Sequence, residues 1–145
     1  MQKTKLKLKL FKRNIDEVYG LLQKKLKTYN VGQINDYQRK RVVFSYYEDK
    51  KLVAGLYAYH SLGRFYVDLL WVDEFYRHQG LGSKLLKIVE KYAAKNNALY
   101  VRVNTGSFQA PGFYLKNNYE QFAKLPLATT AKKKHYDYYF VKYLN

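Results

Sequence analysis

Apolar and polar residues alternate at the start of the chain. Leu6, Leu8 and Leu10 interleave with Lys3, Lys5, Lys7 and Lys9, a period of two that predicts a first strand with one buried face. The period then lengthens. Val18, Leu21, Leu22 and Leu26 recur at helical spacing, with Asn14 as a candidate cap and Asp16 and Glu17 in the first turn, and "YNVGQ" ends the helix. A short helical or loop segment runs to about Lys40. "RVVFSYY" and "KLVAGLYAYH" are β-branched and aromatic, and the polar "EDKK" between them makes a hairpin. "RFYVDLLWVD", set off by Ser61 and Gly63, adds a third strand to an antiparallel meander.

Helical spacing returns in Leu81, Leu85, Leu86, Val89, Tyr92 and Ala93, up to "KNN". "ALYVRV" follows as a strand, and a helix of that length fits a parallel crossover. "QAPGFYLKNNY" reads as a short helix, with Pro111 tolerated near its first turn and Asn118 suited to a left-handed exit. "YEQFAKL" and "HYDYYFVKYL" are two terminal strands. The expected fold is α/β in the α+β sense: a central mixed, mostly antiparallel sheet of six to seven strands with about four helices, in one domain over residues 1–145.

Composition supports a packed globule. Of 145 residues 48% are hydrophobic and 18% aromatic, and no linker or low-complexity tract divides them. The absence of cysteine excludes a disulfide scaffold, a thiolate-bound metal and a cysteine nucleophile. No His/Asp/Glu spacing points to a metal, and lone His60 and His135 read as structural. No stretch approaches the roughly 18 apolar residues of a membrane span, so a soluble, cytoplasmic protein is expected. The net charge of +16 raises the question of a polyanionic partner. The lysines are dispersed, however, in the manner of solvated faces, which argues against nucleic acid.

"RHQGLGSKLL" concentrates the chemistry. Gly80 and Gly82 sit where a strand feeds the opening of a helix, whose first amides have no internal acceptor and face the positive end of its dipole. That is an anion site, and phosphate-bearing ligands are the candidates. A dinucleotide fingerprint fails because Leu85 stands where a third glycine is needed, and a phosphate-binding Walker loop fails because Gly82, Ser83 and Lys84 are in the wrong order. What fits is Arg or Gln, two residues, Gly, one residue, Gly or Ala. Taken alone, the motif fits equally a tight turn whose glycines let the helix pack closely on the sheet.

The sequence resembles the GNAT superfamily of acetyl-coenzyme A-dependent N-acetyltransferases at "LLWVDEFYRHQGLGSKLL" and at "SFQAPGFYLKNNYEQF", and is similar to small bacterial members of unassigned substrate. The resemblance implies a sheet splayed between its fourth and fifth strands, with acetyl-CoA as donor and a primary amine, small molecule or peptide, as acceptor. It implies that the pyrophosphate lies on amides of Gln79, Gly80, Leu81, Gly82, Ser83 and Lys84, flanked by Arg77 and His78. The pantetheine arm would bond the main chain of Leu70, Trp71 and Val72, with an amide near Leu70 as oxyanion donor. Ser107 stands where many members have an asparagine contacting the pantetheine, and Phe113 packs on the cofactor or the core. Tyr114 matches the tyrosine that protonates the departing thiolate. Asp68, placed by strict alternation on the face of Leu70 and Val72, is a candidate base or ammonium ligand, with ordered water as the alternative. Tyr66, on that face, replaces a glutamate found in some members.

Two other functions stay open at this level: a basic nucleic-acid-binding module, and an acetyl-CoA sensor without turnover. The positive surface favours acceptors with an acidic part. The expected assembly is a monomer or homodimer.

Overall fold

The computed structural model describes residues 6–35, 37–130 and 132–144. These fall into two compact units, one ending at Tyr37 and the other beginning at Gln38.

In the first unit, α1 spans Asp16–Gln33 with Asp16 and Glu17 in its first turn. Asn14 is not its cap. Asn14 lies at φ 52°, Ile15 occupies the N-cap position, and no side chain bonds the first amides. Among the described residues the predicted first strand is absent as well. Residues 6–10 are irregular, with Leu6 93% and Leu8 99% exposed, and Lys3 and Lys5 lie outside the described residues. Alternation permits a strand, but pairing makes one. The segment from 34 to 39 holds no helix in its described part.

The second unit is a six-stranded sheet in the order β1-β2-β3-β4-β6-β5. Its strands are β1 Lys40–Glu48, β2 Lys51–Ser61, β3 Arg64–Val72, β4 Tyr100–Gly106, β5 Glu120–Leu127 and β6 His135–Tyr143. The β1-β2-β3 meander turns at Leu62 and Gly63, both at positive φ, as a tight hairpin of right-handed strands requires. From β3 the chain passes through a short 3₁₀ turn, Glu74–Tyr76, into α2, Leu81–Lys95, and returns as β4 parallel to β3. Helix α3, Pro111–Lys116, leaves through Asn118 at φ 64°.

Leu85, Leu86, Val89 and Ala93 of α2 form its buried stripe and join one core with Leu56, Phe65, Val67, Val101 and Phe140 from the sheet. Helix and sheet each bury one face, and the core is where the two meet. Among the described residues no helix is long and apolar enough to cross a membrane.

Two features of β3 shape the site. It pairs with β4 only from Arg64↔Tyr100 to Val67↔Val103, so beyond Val67 the two strands part and their facing backbone groups are unpaired. This is the expected splay, between the third and fourth observed strands because the sheet has one strand fewer. A bulge also lies at the same level: Tyr57 opposes Leu69, Ala58 opposes Val67, and Asp68 has no partner in β2.

Candidate active site

The splay opens onto a cavity of about 490 Å³. The end of β3 supplies Leu70, Trp71 and Val72, the following turn Tyr76, Arg77 and His78, the opening of α2 Gly80 to Ser83, and α3 Ala110, Phe113 and Tyr114. Ten of the residues that sequence reasoning assigned to the donor, and Tyr114 assigned as the acid, are thus gathered around one hollow.

The glycines have separate reasons. Gly80 is at φ 79°, a left-handed conformation that a side chain would strain, and a Cβ there would meet nothing within 4 Å. Gly82 is close-packed instead: a Cβ would lie 3.0 Å from Cζ of Phe113, so its hydrogen lets α3 approach the start of α2. The first backbone bond of α2 runs from the Lys84 amide to the Gly80 carbonyl at 2.9 Å. The amides of Leu81, Gly82 and Ser83 before it have no acceptor within the helix. Lys84 is therefore outside the cradle by its main chain and does not line the cavity.

The loop before α2 is braced from several sides. The Asp73 carboxylate accepts from the Phe75 amide at 3.0 Å and pairs with Lys51 at 3.2 Å, and the amide bond is the main reason its pKa is lowered. Arg77 Nε donates to the Val72 carbonyl at 3.1 Å. Gln79 turns its side chain back to the Phe75 carbonyl and does not line the cavity. Tyr76, which sequence reasoning passed over among 17 tyrosines, lines it and donates its hydroxyl to Glu48 at the end of β1, a bond that helps push its pKa up to about 12. Only its place just before the glycine turn could have marked it.

Ser107 is engaged elsewhere. Its hydroxyl accepts from the Tyr136 amide at 3.1 Å and contacts His135 Nδ1 at 3.1 Å, tying the end of β4 to β6. Asp68 is also displaced from its expected place. The bulge resets the alternation, so Leu70 and Val72 share the core-facing side with Phe65 and Val67, while Asp68 stays exposed with Tyr66 on the opposite side.

Tyr114 is 7% exposed, edge-on to Phe113 and Tyr119 and stacked near Phe140. Burial, and secondarily the neighbouring Tyr66, push its pKa up to about 12. The phenol therefore keeps its proton throughout the physiological range, as a hydrogen-bond donor and never a base. The same shift predicts alkaline sensitivity. An unfolded tyrosine titrates at 10.0 and this one near 12, so its contribution is intact below pH 10 and is lost as pH rises through 12. The span corresponds to about 2.7 kcal/mol. Urea midpoints should stay level from pH 7 to 9 and fall above 10, less steeply in Tyr114→Phe; an equal fall in both proteins would contradict the assignment.

Residues 11–119 match the Acetyltransferase (GNAT) family. This chain belongs to that family. A relative, the blasticidin-S acetyltransferase of Streptomyces morookaense, is 39% identical over 80 residues, which are 54% of this chain and 59% of the relative's length. Among solved structures, an acetyltransferase from Bacillus cereus superposes with a TM-score of 0.77 at 28% identity, covering 95% of this chain and 98% of its own. A crystal structure of an Agrobacterium tumefaciens protein reaches 0.84 at 21% identity, covering 95% and 99%. The splayed GNAT sheet is thus the fold of this chain.

Proposed function

We propose that the protein transfers acetyl from acetyl-CoA to a primary amine by direct attack within a ternary complex. The observation that carries this reading is the convergence on one cavity of unpaired amides at the start of α2, a parted strand pair and a buried, protonated tyrosine. The amides of Leu81, Gly82 and Ser83, at the positive end of α2, suit a pyrophosphate, with Arg77 and His78 beside them. The unpaired edge of β3 suits the amide-bearing pantetheine arm, with a Leu70 main-chain amide as oxyanion donor. The Ser107 hydroxyl, already bonded to β6, keeps one acceptor site for that arm. Phe113 packs between Gly82 and Tyr114 and gives the cavity an apolar wall.

In the reaction an amine nitrogen bonds to the thioester carbonyl carbon and the carbon–sulfur bond breaks. The amine loses a proton and the sulfur gains one. Tyr114 faces the departing sulfur as hydrogen-bond donor. Among the described residues no carboxylate lines the cavity, so ordered water takes the amine proton, with Asp68 acting from the far face if a side chain takes part. Glycine turn, splay and Tyr114 together support an enzyme over a sensor. The family match spans both compact units, which supports a single catalytic domain, and we place it in a bacterial cytoplasm.

Coenzyme A should raise the melting temperature, and acetyl-CoA with an amine panel should release thiol. Nucleic-acid binding that falls steeply with salt, without stabilisation by coenzyme A, would reverse the reading.

A further inference from the structure

The parted strands expose a second surface, on the side of the sheet away from α2 and α3. The donor cavity occupies the helix side, so an acceptor must reach the reacting carbon from the other. Asp68 leaves β3 at the bulge where pairing with β4 ends. Asp137 leaves β6 opposite Gly106, at the free end of β4. Both lie on the far side, Asp68 with Tyr66 and Asp137 with Tyr139, and they straddle β4 at the mouth of the splay.

Between them the surface is aromatic and incompletely bonded. A Cβ at Gly106 would lie 2.6 Å from the Phe108 ring, so that exposed ring lies against the end of β4. Among the described residues, the buried Oδ1 of Asn104 has no hydrogen-bond partner. The nearby cations are already placed on rings: Arg102 lies 4.7 Å over Tyr66 and Arg39 lies 4.0 Å over Tyr59. The far face therefore sets two carboxylates and two ring-bound guanidiniums among aromatic side chains, in a chain of net charge +16. Burial and then Tyr59 raise the pKa of Tyr66 most, Asp68 and Asp137 add to the rise, and Arg102 opposes it.

We propose that the acceptor carries a second cationic group besides the amine that is acetylated, held by Asp137 and the aromatic surface while Asp68 faces the reacting nitrogen. Carboxylate and ring faces are the chemistry that binds ammonium or guanidinium. The two carboxylates thus point to a cationic group, where the net charge alone favoured acceptors with an acidic part. The inference rests on the acetyl-transfer reading.

Butylamine, 1,4-diaminobutane and 4-aminobutanoate form a matched test, read as thiol release from acetyl-CoA. The kcat/KM for 1,4-diaminobutane should exceed that for butylamine by about tenfold, with 4-aminobutanoate the poorest. In Asp137→Asn the diamine-to-monoamine ratio should fall to about the statistical factor of two for two equivalent amines, with the KM for acetyl-CoA unchanged. The ratio does not depend on how much protein folds, and Asp68→Asn, at the residue that faces the nitrogen common to both amines, should leave it unchanged. A ratio near two in the unaltered protein, a preference for 4-aminobutanoate, or a ratio that Asp137→Asn leaves intact overturns the inference alone. No stabilisation by coenzyme A overturns the acetyl-transfer reading and this inference with it.

Discussion

Gly82→Asp is expected to abolish both the thermal stabilisation by coenzyme A and the release of thiol. The Cβ alone would lie 3.0 Å from Cζ and 3.2 Å from Cε2 of Phe113, so the ring must move before a carboxylate finds room. That carboxylate would stand at the mouth of the amides assigned to the pyrophosphate. Two like charges about 4 Å apart at an effective dielectric constant near 20 repel by about 4 kcal/mol, or roughly a thousandfold in affinity. Gly82→Ala isolates the steric part and should weaken binding only several-fold. Gly80→Ala probes something different: at φ 79° with open space around it, alanine costs stability, about 1–2 kcal/mol, rather than room. Calorimetric titration with coenzyme A beside thermal melting separates the three variants. Affinity within a few-fold of the unaltered protein in Gly82→Asp would remove the pyrophosphate from this turn.

The elements that were legible in the sequence are those whose pattern and pairing agree. Strands β1 to β6, helix α2 and the exit of α3 at Asn118 fall where periodicity and turn residues put them. The misreadings share a cause: a local pattern was taken as sufficient where a distant residue decides. Leu6, Leu8 and Leu10 alternate as well as any strand, yet residues 6–10 are irregular. Asn14 is a good cap by type but sits one residue early at positive φ. Asp68 was assigned its face by counting in twos, and no glycine or proline marks the bulge that breaks the count. Ser107 was read by position alone, and its contacts with the β6 segment brought back to it left no local signal. The lining of the cavity was legible because backbone turns and one tyrosine build it, and such features leave signatures in a single chain. The far face is assembled from β2, β3, β4 and β6, where no short motif records that Asp68 and Asp137 flank the same opening.

Tyr114→Phe is expected to lower kcat by about a hundredfold while the KM for acetyl-CoA and the melting temperature at neutral pH change little. The substitution deletes one oxygen and leaves the packing with Phe113, Tyr119 and Phe140 intact, so a large fall in kcat reports the hydroxyl rather than the fold. The magnitude has a bound. A phenol held near 12 gives its proton outright to a thiolate of ordinary pKa, about 8.5, only at a cost of about 5 kcal/mol. Its advantage therefore lies in a hydrogen bond that strengthens as charge gathers on sulfur, not in a completed early proton transfer. The pH profile distinguishes the two. With Tyr114 protonated well past neutrality, kcat/KM should rise as the acceptor amine loses its proton and should show no descending limb from this residue below about pH 10. A descending limb between pH 8 and 9 that vanishes in Tyr114→Phe would mean that the phenol titrates far below its buried value. Unchanged turnover in the variant at every pH would return Tyr114 to the core as one more packed aromatic.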